Sequence, residues 1–101
     1  MPEDKLKKIK EAISPILEEY GVFYAGIFGS FARGEENSES DVDLLVKIRP
    51  NKKFSLLDSV DLEYKLTDKI GRKVDLATEG ALSKYIKPQV FKDLITIYEG
   101  R

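Results

Sequence analysis

The fold is decided by GSFARGEENSESDVDLLV, residues 29–46 of this 101-residue chain. Two acidic residues, Asp41 and Asp43, stand at the head of an apolar run. Side chains alternate between the two faces of a β-strand, so both aspartates point to one face, away from apolar neighbours such as Val42 and Leu44. Two neighbouring carboxylates at the head of a strand are either solvated or share a bound cation.

The residues around this stretch predict two β-strands. Residues 22–28, VFYAGIF, are β-branched and aromatic, which is typical of a buried strand. Ser30 is a favourable N-cap residue and predicts a short helix through about Arg33, followed by a polar loop. Residues 41–48, DVDLLVKI, predict the second strand. The ten residues between Ser30 and Asp41 are therefore expected to be a short helix and a loop that connect two strands.

The rest of the chain alternates helices with strands. Apolar residues at helical spacing predict a helix over 3–20 and another from Ser55 to Ile70, and Pro15 should kink the first helix or split it in two. The later predicted elements are a strand over 73–77, a loop and helix over 81–93 with Pro88 near its first turn, and a strand over 95–99. This order indicates an α/β (α+β) fold with a small mixed β-sheet flanked by helices, and we expect residues 1–101 to be a single domain.

Composition restricts the chemistry available to this chain. It has no cysteine and no histidine, which excludes disulfides and thiolate catalysis and leaves oxygen atoms as metal ligands. Oxygen ligands favour hard cations such as Mg²⁺ and Mn²⁺. The net charge of −1 argues against extended nucleic-acid binding but leaves binding of a short RNA end open. There is no apolar run of about 18 residues and no signal-like segment, so we expect a cytoplasmic protein without membrane attachment.

A third carboxylate, Asp75, lies on the strand predicted over 73–77, on the face opposite to its apolar neighbours. If that strand lies beside the second strand, Asp75 reaches the same place as Asp41 and Asp43. Neighbouring residues on one face of a strand are about 6.6–6.8 Å apart, and paired metals in phosphoryl-transfer sites are about 3.5–4 Å apart. Asp41 and Asp43 can therefore share one or two divalent cations, and Asp75 adds a third carboxylate if the two strands are neighbours.

The Gly29-Ser30 corner adds an anion site to this predicted metal site. Glycine lets the backbone approach a phosphate closely, and the first N–H groups of a helix attract anions. A metal held by the aspartates would bridge to phosphates at this corner, as in a two-metal nucleotidyl-transfer site. In that arrangement Asp75 either binds the second metal or accepts the proton of an attacking hydroxyl.

Each of these features also has an ordinary structural explanation. Gly-Ser alone is more often a capped turn, and each aspartate alone is more often a solvated surface residue. Pairing with nearby glutamates would explain Arg33, and solvation would explain Glu35, Glu36 and Glu39. The nucleotidyl-transfer hypothesis depends on the joint occurrence of Gly-Ser, the ten-residue spacer, Asp-x-Asp and the later aspartate.

The combined motif closely resembles the signature of the minimal nucleotidyltransferases of the DNA polymerase beta superfamily. That signature is Gly-Ser, ten residues and Asp-x-Asp, matched here by Gly29-Ser30 and Asp41-Val42-Asp43. The third carboxylate of the family is matched by the aspartate of GRKVDLA, residues 71–77. The resemblance covers nearly the whole chain and implies the nucleotidyltransferase fold.

The resemblance also implies roles for individual residues. Asp41 and Asp43 would be catalytic Mg²⁺ ligands, and Asp75 would be the third catalytic carboxylate and a further metal ligand. ATP would be the substrate, and Mn²⁺ could replace Mg²⁺ in one or two metal sites. The implied nucleotide-binding residues are Gly29, Ser30 and Arg33, the last as either a phosphate or a structural contact.

Family members of this size resemble MntA-type antitoxins of HEPN/MNT toxin–antitoxin modules, in which the partner is a HEPN-domain RNase toxin encoded nearby. Such an antitoxin is similar to a protein adenylyltransferase that moves AMP from ATP to a tyrosine hydroxyl of the toxin. The resemblance therefore implies a Mg²⁺-dependent enzyme that AMPylates a HEPN partner. Three alternatives stay open, namely a non-catalytic antitoxin that neutralises its partner by contact, transfer to a small molecule, and transfer to an RNA end. Self-association as a homodimer is also open.

Overall fold

Helices and strands alternate along the computed structural model, which describes residues 2–35, 37 and 39–100. The elements are α1 (Pro2–Glu19), β1 (Val22–Phe28), α2 (Ser30–Arg33), β2 (Val42–Ile48), α3 (Leu56–Ile70), β3 (Val74–Thr78), a 3-10 turn (Glu79–Ala81), α4 (Lys87–Asp93) and β4 (Ile95–Glu99). Apart from the 3-10 turn, this is the predicted order of elements.

Four strands of the described chain form one sheet in the order β3-β2-β1-β4. β1 runs antiparallel to both β2 and β4, whereas β2 and β3 are parallel. Parallel neighbours need a crossover connection, and α3 provides it between β2 and β3. The mixed sheet with its helices confirms the predicted fold class.

The main core lies between one face of the sheet and the helices α1 and α3. Val42, Leu44 and Val46 of β2 are fully buried there, as the strand period of two predicts. The other buried residues of this core are Ile13, Leu17, Val22, Ala25, Ile27, Phe31, Leu62, Leu66, Val74 and Ile97. Asp43 and Leu45 alternate with these residues and point to the opposite face, where Leu45 is fully buried outside the main core. The face that carries Asp43 is therefore distinct from the face that α1 and α3 cover.

Side chains of α3 bind the backbone at the outer edge of β3. Thr67 Oγ1 accepts a hydrogen bond from the backbone N–H of Val74 at 3.0 Å. Glu63 Oε2 accepts one from the backbone N–H of Leu76 at 2.9 Å. These bonds satisfy N–H groups that an edge strand would otherwise expose, and they fix β3 against the crossover helix.

Replacing Ser55 by Ala is expected to lower the free energy of unfolding by about 1 kcal/mol, because it removes a capping box at the start of α3. Ser55 Oγ accepts from the backbone N–H of Asp58 at 3.2 Å, and Asp58 Oδ2 accepts from the backbone N–H of Ser55 at 2.9 Å. Urea denaturation measures the change. Ser59→Ala, the same exchange one turn later inside the helix, should be neutral or slightly stabilising, because alanine is the better helix former. Equal losses in both variants would contradict the capping role.

One predicted feature of the helices needs correction. α1 continues as one helix across Pro15, so a helix split in two is wrong. The buried side chains of Ile13 and Leu17 hold the turns on both sides of the proline, and this packing offsets the lost backbone hydrogen bond. The predicted loop and helix over 81–93 are confirmed, because the segment ends in the helix Lys87–Asp93 with Pro88 in its first turn. Among the described helices, none has the length and apolar character that crossing a bilayer requires.

Candidate active site

Carboxylates gather where the parallel strands β2 and β3 begin. Asp43 is the register partner of Asp75, and Asp41 comes just before β2, which begins one residue later than predicted. The backbone N–H of Val42 donates to the carbonyl oxygen of Lys73 at 2.8 Å, which holds the two strand starts side by side. The carboxyl group of Asp41 lies close enough to that of Asp75 to raise its pKa. The structure thus meets the condition on which the predicted site depends, while the roles of the three residues stay predictions.

Burial and mutual repulsion raise the pKa of two of these carboxyl groups. Asp43 is half-buried, and burial is the main reason that its pKa is raised, with the charges of Asp75 and Asp41 adding to the effect and Arg33 opposing it. Burial is also the main cause that raises the pKa of Asp75. The ammonium of Lys73, 4.0 Å away, opposes that rise, and Asp41 adds to it through its charge and its hydrogen bond. A cation bound among these groups would relieve the repulsion.

The donor set suits a hard divalent cation. All three groups offer carboxylate oxygens, the ligands that Mg²⁺ prefers, and Asp75 keeps 48% of its side chain exposed. Within the part of the chain that the structure describes, no three acidic side chains are arranged to hold a metal ion as they stand. The three carboxylates therefore fit Mg²⁺ in the type of ligand atom and in their shared location, but they do not form a preformed coordination site.

Gly29 lies directly against Asp43 at the end of β1. Its φ of 78° and ψ of −152° belong to a region that is essentially restricted to glycine. A Cβ atom placed on Gly29 would lie 2.3 Å from Oδ2 of Asp43. Only a residue without a side chain lets α2 begin this close to the carboxylate. The Gly-Ser corner and the Asp-x-Asp segment, separate in the sequence, are thus in contact in the fold.

Ser30 and Arg33 are the first and last residues of the short helix α2. The N-cap residue is Gly29, and no side-chain hydrogen bond caps the helix, so the predicted N-cap role of Ser30 is wrong. The turn after β1 requires the glycine angle at the cap, which places Ser30 inside the helix. Arg33 pairs with Glu35 at 2.8 Å and with Asp93 at 2.6 Å. Arg33 therefore has the structural role of an ion-pair partner. Its ion pair with Asp93 connects α2 to the end of α4.

The loop glutamates differ in their surroundings. Glu35 and Glu39 are exposed, but Glu35 also binds Arg33, so solvation alone does not describe it. The third loop glutamate, Glu36, lies outside the described residues.

Arg72 contacts this region, although nothing in the sequence pattern drew attention to it. Its Nη1 atom donates hydrogen bonds to the carbonyl oxygens of Asn37 and Ser40, in the loop that leads to Asp41. A cation that binds backbone carbonyls needs no complementary side chain at a fixed spacing. For this reason only the folded structure reveals the contact.

A family model described as a nucleotidyltransferase domain matches residues 6–97. A candidate protein adenylyltransferase of Methanocaldococcus jannaschii is 38% identical over 92 residues, which cover 91% of this chain and 97% of the relative. The protein adenylyltransferase MntA of Thermococcus cleftensis is 36% identical over 80 residues, which cover 79% of each chain.

Solved structures show the same fold. The structure of a candidate minimal nucleotidyltransferase matches with a TM-score of 0.76 and 33% identity, covering 91% of this chain and 92% of the other. A complex of the tri-AMPylated Shewanella oneidensis HEPN toxin with its MNT antitoxin matches with a TM-score of 0.71 over 95% of this chain and 73% of the matched chain. That match has 18% identity and therefore speaks to the fold alone.

Proposed function

This chain belongs to the nucleotidyltransferase domain family, and from that premise we propose that it transfers AMP from ATP to a tyrosine hydroxyl of a HEPN-type toxin, with Mg²⁺ as cofactor. Membership of this family means that the chain is a nucleotidyltransferase and uses a nucleotide substrate. The acceptor, the choice of ATP, the metal and the resulting antitoxin role are the proposed parts.

The observation that carries the proposal is the contact of Gly29 with Asp43 beside the Asp43 and Asp75 register pair. It brings the proposed phosphate-binding corner and the carboxylates to one place on the sheet. Gly29 and Ser30 would hold the triphosphate through backbone N–H groups and the serine hydroxyl. Asp41, Asp43 and Asp75 would hold Mg²⁺, which when bound neutralises phosphate charge and polarises the reacting phosphorus.

The proposed reaction is an in-line displacement at the α-phosphorus of ATP. The acceptor hydroxyl oxygen forms a bond to the α-phosphorus, and the bond from that phosphorus to the β-phosphate oxygen breaks, so pyrophosphate leaves. The hydroxyl proton passes to a carboxylate, and Asp75 is the proposed acceptor because half of its side chain faces solvent.

A protein acceptor is favoured because the carboxylates lie on an open part of the sheet. Asp41, Asp43 and Asp75 are all partly exposed, and they lie on the face that α1 and α3 do not cover. An acceptor side chain presented by another protein can therefore approach them directly. The name of the relative MntA from Thermococcus cleftensis, a protein adenylyltransferase, supports the same choice.

The test is to incubate the protein with ATP, Mg²⁺ and the HEPN-type product of a neighbouring gene, and to measure the intact mass and the RNase activity of that partner. We expect the partner to gain the mass of one or more adenylyl groups on tyrosine and to lose RNase activity. Asp75→Asn should abolish the mass gain. Asp68→Asn, the same exchange at an exposed position of α3, should leave it intact.

Two outcomes would contradict the proposal. Loss of RNase activity without a mass change, undiminished in Asp75→Asn, would identify an antitoxin that acts by contact. Adenylyl transfer to a small molecule or an RNA end, with none to the partner, would keep the nucleotidyltransferase and reject the protein acceptor.

A further inference from the structure

We propose that Arg72 is a positioning residue that holds the Asp41 loop and the helix α2 in one arrangement, and so sets the geometry of metal and nucleotide binding. This inference rests on the proposed function, because it takes Asp41 as a metal ligand and Ser30 as a nucleotide contact. Arg72 lies between α3 and β3, two residues after the end of the crossover helix. From this connection, just before the strand that carries Asp75, its side chain reaches the Asp41 loop and α2.

The first contact of Arg72 is with the turn that precedes Asp41. Its Nη1 atom donates to the carbonyl oxygen of Asn37 at 2.6 Å and to that of Ser40 at 3.2 Å. Within the turn, the Ser40 N–H donates to the same Asn37 carbonyl at 3.1 Å, and the Asn37 N–H donates to Ser40 Oγ at 2.9 Å. One guanidinium thus binds both Asn37 and Ser40, which are also hydrogen-bonded to each other, and Asp41 follows Ser40 directly.

The second contact of Arg72 is with α2. Its guanidinium carbon lies 5.0 Å from the centroid of the Phe31 ring, within the range of a cation–π interaction. Phe31 follows Ser30 directly, and only 4% of its surface is exposed. Lys5 also lies over this ring, at 5.9 Å, so stacking alone does not distinguish Arg72. The distinctive property of Arg72 is that one side chain combines the stacking with the hydrogen bonds to the turn.

These two contacts connect the three segments that supply the proposed site. The Asp41 turn, α2 and the start of β3 also meet through the Val42 to Lys73 backbone hydrogen bond, the contact of Gly29 with Asp43 and the interaction of Asp41 with Asp75. Arg72 adds hydrogen bonds to Asn37 and Ser40, on the side of the loop that precedes Asp41. Arginine suits the position, because a planar guanidinium can stack on a ring while its N–H groups bind carbonyls, whereas the lysine ammonium is a compact point charge.

The experiment compares Arg72→Met and Arg72→Lys with the parent protein in two measurements. The first is Mn²⁺ binding in the presence of a non-hydrolysable ATP analogue, followed by the Mn²⁺ electron paramagnetic resonance signal. We expect the apparent Kd of Mn²⁺ to rise about 10-fold or more in Arg72→Met, and by less in Arg72→Lys. The second is AMP transfer, where small errors of position cost up to about 10²-fold in kcat. Methylguanidinium, but not methylammonium, should restore part of the transfer in Arg72→Met.

Arg49→Met is the matched control, because it makes the same exchange at the far end of β2, away from the aspartates. It should leave Mn²⁺ binding and transfer unchanged. The inference is overturned if Arg72→Met is folded by circular dichroism and binds Mn²⁺ like the parent. It is also overturned if Arg72→Met is unfolded and the folded Arg72→Lys binds Mn²⁺ and transfers AMP like the parent. If the parent binds the analogue and Mn²⁺ but AMPylates no partner, the proposed function fails while the Mn²⁺ comparison still decides the role of Arg72.

Discussion

Asp43→Asn is expected to reduce AMP transfer by at least about 10²–10³-fold, the effect of removing one preorganised charged or polar group from an active site. Asparagine has the size of aspartate but not its charge, so the register with Asp75 and the contact with Gly29 are kept. What is lost is the carboxylate that Asp75 and Asp41 surround. The rate of AMP transfer to the partner, measured by intact mass over time at saturating ATP and Mg²⁺, checks this prediction.

Asp43→Asn should also raise the melting temperature of the protein in the presence of a chelator. Burial and two neighbouring charges raise the pKa of Asp43 above its unfolded value. A carboxyl group with a raised pKa favours the folded state when protonated, and this contribution is lost as the pH rises through the folded pKa. At neutral pH the ionised Asp43 therefore destabilises the fold. The gain from Asp43→Asn should be a few degrees, since solvent screening keeps such terms below about 1 kcal/mol, and it should shrink as the solution is acidified.

Asp68→Asn serves as the control for both measurements, since Asp68 is exposed on α3. It should change neither transfer nor melting temperature appreciably. Full transfer by Asp43→Asn would remove Asp43 from the catalytic machinery. A lower melting temperature for Asp43→Asn in chelator would show that its charge stabilises the fold, against the direction of the pKa shift.

Gly29→Ala is expected to destabilise the fold and to inactivate the enzyme together. The backbone angles of Gly29 cost another residue about 1–3 kcal/mol, which corresponds to a fall in melting temperature of about 4–8 °C per kcal/mol for a domain of this size. The new methyl group would also lie 2.3 Å from Oδ2 of Asp43, so that carboxylate must move. Thermal unfolding and transfer to the partner measure the two effects separately.

Two other glycines supply matched controls. Gly71 has a φ of +82° with nothing within 4 Å of an added Cβ, and Gly80 has neither a positive φ nor a close neighbour. Gly71→Ala should therefore lower stability without loss of transfer, and Gly80→Ala should change little. In an Asp43→Ala background, Gly29→Ala should cost less stability than in the parent, because the clashing oxygen is gone. Equal costs in the two backgrounds would contradict the contact between Gly29 and Asp43.

Much of the fold was predictable because its strands have strong local patterns. The alternation of Val42, Leu44 and Val46 identified both the strand and its buried face, and the spacing around Ser55 identified α3. Errors arose where one residue had two possible roles. Ser30 has the chemistry of an N-cap, but the backbone angles that the turn requires are available only to Gly29, so the cap falls one residue earlier.

The site was predictable only as a set of candidates. The sequence placed Asp41 and Asp43 on one face, but it did not fix which strands are neighbours, so the role of Asp75 depended on an assumption. The parallel pairing of β2 with β3 is a long-range contact that no local pattern specifies. The contacts of Arg72 with backbone carbonyls were not predictable for the same reason, since they depend on how distant segments fold together.

The crossover through α3 also governs when the site exists during synthesis. β1 and β2 are antiparallel neighbours in sequence and can pair as soon as both have left the ribosome, but β3 needs the whole of α3 before it can reach β2. Synthesis adds about 5–20 residues per second, so β3 follows β2 after a delay. A chain that stops before β3 carries Asp41 and Asp43 without Asp75. A translation product that ends there has the first two carboxylates of the proposed site and lacks the third, so the proposed site is complete only after β3 has been made.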